Sequence, residues 1–142
     1  MLPENPTVSE LEDFFGADRF ATQAAGCRIV EGWRGHGVAE MELTDIHRNA
    51  QGNVMGGAIF TLADFALALA SNIGEAPTVN VASSIEYLSA TRGTKLIATA
   101  DCEKDGRHLA FYAVKVTDDT GRLIARVSIT AYRHQPTPSA EA

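Results

Sequence analysis

The stretch from Gln51 to Asn72, QGNVMGGAIFTLADFALALASN, constrains the fold most, because it reads as a long helix that is apolar around nearly its whole circumference. At about 100° per residue, Ala58, Ile59, Phe60, Leu62, Ala63, Phe65, Ala66, Leu67, Leu69 and Ala70 leave one arc for Gly57, Thr61, Asp64, Ala68, Ser71 and Asn72. A helix of this kind is central. Four long alternating runs follow it: Thr78 to Ser89, Thr94 to Lys104, His108 to Asp118 and Arg122 to Arg133. Each reads as a strand of about twice the usual length, and strands that long should curve. Asp105-Gly106 is a tight-hairpin signal and TDDTGR a looser one, so the last three strands should form an antiparallel meander. Neither helix nor sheet buries its apolar surface alone, which predicts an α+β fold with a long curved antiparallel sheet wrapped around one central helix.

Upstream, SELE offers Ser9 as an N-cap with Glu12 three residues on. A short helix follows, with Leu11, Phe14 and Phe15 at helical spacing and Gly26 as its stop. CRIVEGWRGHGVAEMELT then reads as a hairpin in which Ala39, Met41 and Leu43 face inward and Glu40, Glu42 and Thr44 outward. Residues 46–54 suit a turn-rich loop. Ile97, Val114 and Val116 hint that the outer sheet face is also covered. One domain over residues 1–134 accounts for all these elements, followed by a flexible Pro- and Ala-rich tail, 135–142.

The net charge of −6 and a pI near 5.1 argue against nucleic acid or an anionic membrane as the main partner, since both require a basic surface. The first residues, MLPENPTVSE, carry neither a basic nor an apolar targeting segment, and no run approaches a membrane span, so a cytoplasmic protein is expected. Cys27 and Cys102 lie far apart without metal-ligand spacing and read as buried small hydrophobes.

Asp64 is the anomaly. An ionised carboxylate is rarely left in an apolar element without a partner, so its arc either faces solvent or faces a working cleft. VMGG opens the same helix, leaving unobstructed backbone N–H groups at the positive end of the helix dipole, where an oxyanion is favoured. The glycines also permit a tight entry into the helix, and the pattern alone leaves both readings open.

The string HRNAQGNVMGGAIFTLADFALALASN resembles the signature of the phenylacetate-pathway (PaaI-like) type of hotdog-fold acyl-CoA thioesterases, in which Asn, Gly and His-Gly-Gly precede Leu and Asp or Glu. The order of elements over nearly the whole chain resembles a hotdog domain. The resemblance implies three catalytic roles: Asp64 as the carboxylate, Gly56 as the backbone N–H that polarises the thioester carbonyl, and Asn49 as the loop residue near the scissile bond. Met55 stands where the common form has His. A polar orienting group is therefore missing, although the main-chain oxyanion donor survives. His36 and His47 are the nearest histidines in sequence, and a surface or turn role is expected for both.

Gly56 and Asp64 are eight residues apart, about 12 Å along a helix axis. Both groups of the implied mechanism must come within roughly 3 Å of the reacting atoms, so Gly56 of one subunit must meet Asp64 of another. Two antiparallel central helices about a two-fold axis would supply two such sites, and the arc of small residues permits their approach. A homodimer with shared sites is expected, with a homotetramer as its further assembly. The carboxylate would either deprotonate water or attack the carbonyl directly. No GxSxG, HExxH or Walker motif is present to support a serine, zinc or nucleotide hydrolase. No metal or bound cofactor is implied, coenzyme A entering as part of the substrate. Met55, Gly57 and Thr61 are candidate substrate contacts on the helix, and Arg92, Lys95, Arg107 and His108 are candidate phosphate contacts at turns. Phe60, Leu62 and Phe65 are candidates for an acyl pocket, with core packing as their alternative. A non-catalytic acyl-CoA sensor and a hotdog hydratase are the alternative functions, the missing His counting against the hydratase.

Overall fold

The computed structural model describes residues 2–134; the expected flexible tail lies outside the described residues. Six strands form one antiparallel sheet: β1 (Cys27–Trp33), β2 (His36–Glu42), β3 (Thr78–Tyr87), β4 (Lys95–Asp105), β5 (Leu109–Asp118) and β6 (Leu123–Arg133). Their spatial order is β1-β2-β4-β5-β6-β3, with β4-β5-β6 the expected meander. Helix α2 (Gly56–Asn72) lies in the concave face. This is the arrangement expected of a hotdog domain.

The curvature has a local cause. Pairing registers slip between Ile29 and Glu31, between Asn80 and Ala82 and between Cys102 and Lys104, and bulges of this kind bend a strand and increase its twist. Leu96, Ala98 and Ala100 of β4 and Tyr112, Val114 and Val116 of β5 face inward against Leu62, Ala63, Ala66 and Leu69 of α2, all of them buried. Alternating small side chains let the helix sit close to the sheet. The approach is close at Gly37 of β2, where an added Cβ would lie 2.6 Å from the Ala66 carbonyl oxygen, 2.7 Å from Leu69 Cβ and 2.9 Å from the Ala70 nitrogen.

Several local expectations need correction. The N-terminal helix α1 (Val8–Phe15) is capped by Thr7, not Ser9: Thr7 Oγ1 accepts from the Glu10 N–H at 3.2 Å, and the Glu10 carboxylate accepts from the Thr7 N–H at 3.4 Å. TVSE has the same hydroxyl-to-Glu spacing as SELE, and composition alone does not choose between two overlapping boxes. The helix ends at Gly16, and a separate π-helical turn, Phe20–Ala24, closed by the Ala25 N–H on the Phe20 carbonyl, precedes Gly26. Val114 and Val116 point into the core, so they do not mark a covered outer face; Ile97 lies on that face and is half-buried. Cys27 is buried, whereas Cys102, beside a bulge, is only partly so. No helix among the described residues is long and apolar enough to cross a membrane.

Candidate active site

Helix α2 presents both ends of the expected chemistry. At its start Met55 makes no side-chain cap, and the first intrahelical bonds are those of the Ala58 and Ile59 N–H groups to the Met55 carbonyl, at 3.0 and 3.3 Å. The Gly56 and Gly57 N–H groups thus precede the helical ladder. The two glycines differ. A Cβ at Gly56 would meet the Tyr87 ring at 2.9 Å, whereas one at Gly57 would meet open space. Tyr87, at the end of β3, donates its hydroxyl hydrogen to the Gly56 carbonyl at 3.0 Å, pinning the first turn to the sheet.

Two turns further on, Asp64 is exposed while its neighbours Ala63 and Phe65 are buried. Asn80 of β3 donates an amide hydrogen to Asp64 Oδ1 at 3.2 Å. Ser83 and Asn80 are themselves joined, the Ser83 hydroxyl donating to Asn80 Oδ1 at 2.9 Å. In a regular strand residues three apart face opposite sides, so the bulge at Asn80/Ala82 is what turns both side chains toward the helix. Strict alternation could not have found this pair; the polar residues of NVASS, out of period-two step inside a strand, were the available signal. Asp18, before the π-helical turn, lines the same cleft as Asp64. Burial, and then the nearby Asp64 charge, hold the Asp18 carboxyl above its ordinary value.

The remaining candidates are dispersed. Asn49 stands in an exposed turn, where its Oδ1 accepts the Gln51 and Asn53 N–H groups at 3.0 Å each, so this carbonyl braces the loop. His47 is buried, not on the surface: the Thr44 N–H reaches Nδ1 at 3.0 Å, which leaves the proton on Nε2 for the Ala25 carbonyl at 2.6 Å. Of the small-residue arc, Ser71 is buried and bonds the Leu67 carbonyl at 2.8 Å, while Asn72 bridges to Thr78 of β3. The open part of the arc therefore runs from Gly57 through Thr61 and Asp64 to Ala68. Leu62 and Phe65 are core residues, and Phe60 is half-buried.

Lys95 and Arg107 cannot serve one phosphate within a chain. Lys95 begins the eleven-residue β4 and Arg107 follows its far end, a strand that spans up to about 33 Å at 3.3 Å per residue. Lys95 pairs with Glu40 at 3.2 Å, and His108 stacks on Tyr132. The cation beside the start of α2 is Arg48, which the turn-rich loop concealed; with Gly56, Tyr87, Ser89 and Thr91 it lines a cleft of about 430 Å³.

The 88–94 segment of that cleft is held by Asp118, buried at the end of β5. Its carboxylate accepts the Arg92 and Gly93 N–H groups, the Thr91 and Thr120 hydroxyls, and the Thr120 and Arg122 N–H groups. Burial alone would raise the Asp118 pKa, but this many donors outweigh it and hold the carboxyl well below the usual range. Its stabilising contribution is complete above the ordinary carboxylate pKa of about 4 and is lost as pH falls from there through the depressed folded value. Asp118→Asn turns an amide N–H₂ toward these donors; a loss of about 3 kcal/mol at neutral pH is expected, with a flatter acid limb in urea titrations between pH 5 and pH 2. Equal acid limbs for the two proteins would refute this account.

A family model described as the thioesterase superfamily matches residues 51–125, a span that takes in α2 and most of the sheet after it. A putative esterase from Archaeoglobus fulgidus is 34% identical over 89% of this chain and 82% of its own length. The chain belongs to the thioesterase superfamily. Human acyl-coenzyme A thioesterase 13 is 36% identical over 69% of this chain and 73% of its own. Among solved structures, the PaaI protein of the E. coli phenylacetic acid degradation operon superposes with a TM-score of 0.82 over 90% of this chain and 94% of that one, at 23% identity, a likeness of fold. A hypothetical thioesterase from Streptococcus pneumoniae, solved with coenzyme A, gives a TM-score of 0.77 at 26% identity over 84% of this chain and 96% of that one. The hotdog expectation is met.

Proposed function

We propose that this thioesterase-superfamily chain hydrolyses acyl-CoA thioesters to a free acid and CoA, with Asp64 as the reacting carboxylate. The observation that carries the proposal is Asp64 itself, exposed between buried neighbours on a largely apolar helix and oriented from β3 by Asn80, with Ser83 behind it. The name of the human relative and the coenzyme A held by the streptococcal neighbour support the choice of thioester.

In the proposed reaction the thioester carbonyl lies against the Gly56 N–H at the start of α2, where developing negative charge is stabilised by a few kcal/mol. Asp64 of the second subunit takes a proton from water as the water oxygen attacks, and the proton passes to the departing CoA sulfur. Direct attack by Asp64, giving an anhydride that water then opens, reaches the same products. Either route draws on a main-chain N–H, a carboxylate and water, with CoA entering as part of the substrate.

The site is shared because about 12 Å of helix separates Gly56 from Asp64 within one chain. Strand β3 supports a homodimer: it is an end strand, paired with β6, and Val79 and Val81 on it are more than half exposed. Arg48 joins the candidate phosphate contacts.

The test is release of CoA thiol from a panel of aliphatic and aromatic acyl-CoA esters. Turnover is expected, with activity per chain falling as the protein is diluted through the dimer's dissociation range. Full specific activity in a demonstrably monomeric sample would sink the shared site; acyl-CoA binding without turnover would favour the sensor.

A further inference from the structure

The start of α2 separates two unlike clefts. On one side lies the cleft of Arg48, Tyr87, Ser89 and Thr91. On the other, a groove of about 400 Å³ is walled by Phe20, Ala24, Ile46, His47, Met55 and Thr61. Its three large apolar side chains are unusually exposed, Phe20 at 72%, Ile46 at 70% and Met55 at 49%. Exposed apolar groups gathered on one concavity mark a binding surface more often than isolated ones do.

The polar groups of this groove are already occupied. His47 spends one ring nitrogen on the Thr44 N–H and the other on the Ala25 carbonyl, and the Thr61 hydroxyl donates to the Gly57 carbonyl at 2.8 Å. What remains is an apolar channel open at the Gly57 end, where the helical N–H groups begin. Phe20 and Thr61 also line the Asp64 cleft, so the groove lies between the helix start, which serves one shared site, and the Asp64 cleft, which serves the other. The π-helical turn places Phe20 at this junction, and such turns recur at functional sites.

We infer that the Phe20–Ile46–Met55 groove is the acyl-binding subsite and selects an apolar acyl group, an extended alkyl chain in preference to an acetyl or polar one. The inference rests on the thioesterase reading and names its substrate class. Met55, in the place where the family form carries His, becomes part of this apolar wall.

The test measures binding of non-hydrolysable S-dodecyl-CoA and S-methyl-CoA thioethers by calorimetry, alongside hydrolysis of the matching acyl esters, for the native protein, Phe20→Ala and Ile46→Ser. Both substituted side chains are exposed, and thermal melts check that the variants fold. The native protein should favour the longer chain, and each substitution should reduce the long-to-short affinity ratio by about tenfold, the range expected for lost apolar contact in a pocket. Three results would overturn the inference: no chain-length preference in the native protein, equal losses for both probes, or conversion to monomer with the preference intact, which would make the groove a contact with a second copy. The two readings fail separately. A length preference in binding without release of CoA from any ester would overturn hydrolysis and keep the groove, whereas hydrolysis indifferent to chain length would do the reverse.

Discussion

Asp64→Asn is expected to lower kcat/KM for acyl-CoA esters by about 10³-fold, or roughly 4 kcal/mol of transition-state stabilisation, while fold and dimer persist. The substitution keeps the side chain's size and its carbonyl oxygen toward the Asn80 amide, so the 3.2 Å bond from β3 has an acceptor in both proteins. What it removes is the capacity to take a proton or to attack a carbonyl. Because Asp64 is exposed, stability should change by no more than about 0.5 kcal/mol, the usual range for a surface site. The comparison is therefore clean, since loss of turnover in a protein with native melting and native assembly has no structural explanation. Turnover within threefold of native would mean that Asp64 is a solvated residue and that another group performs the reaction.

Gly37→Ala is expected to be strongly destabilising for so small a substitution. The added methyl would stand 2.6 Å from the Ala66 carbonyl oxygen and 2.9 Å from the Ala70 nitrogen, both main-chain atoms in the second half of α2, with Leu69 Cβ at 2.7 Å. No side-chain rotation relieves such a contact. The helix must move off β2, opening the core around Ala39, Met41 and Leu69, which are completely buried. Overpacking usually costs 1–3 kcal/mol, and a main-chain collision places this case at about 3 kcal/mol. Against a total stability of roughly 5–15 kcal/mol, a fall in melting temperature of about 10 °C follows. A drop of less than 2 °C would show that the helix–sheet spacing has slack. Gly57→Ala is the control on the same helix, as its Cβ meets open space.

Much of this architecture was legible because the patterns that specify it are local. Alternation over ten residues marks a strand whatever it pairs with, and a helix apolar on nearly every side has nowhere to go but the centre. The isolation of Asp64 and the glycines at the start of its helix were likewise visible as chemistry out of keeping with its surroundings. Two overlapping hydroxyl-to-Glu spacings, however, put the expected cap of α1 at Ser9, whereas the cap is Thr7. His47 looked like a loop residue because its partners, Thr44 and Ala25, belong to different turns.

The sequence by itself determined the element order, the central helix, the family resemblance and the carboxylate on which the proposed chemistry turns. Tertiary structure alone decided what surrounds that carboxylate. A bulge in β3 reverses side-chain parity and brings Asn80 and Ser83 to one face, a change that period-two reasoning cannot foresee. Packing of the 46–54 loop beside the helix start brings Arg48 to the cleft of Gly56, a cation that no strand or helix pattern singles out. The π-helical turn folds Phe20 against the same helix that carries Asp64, making a groove from residues far apart in the chain. The physical reason is common to all three. Periodicity reports which way a side chain points relative to its own element, whereas a site depends on register and on the close packing of one element against another.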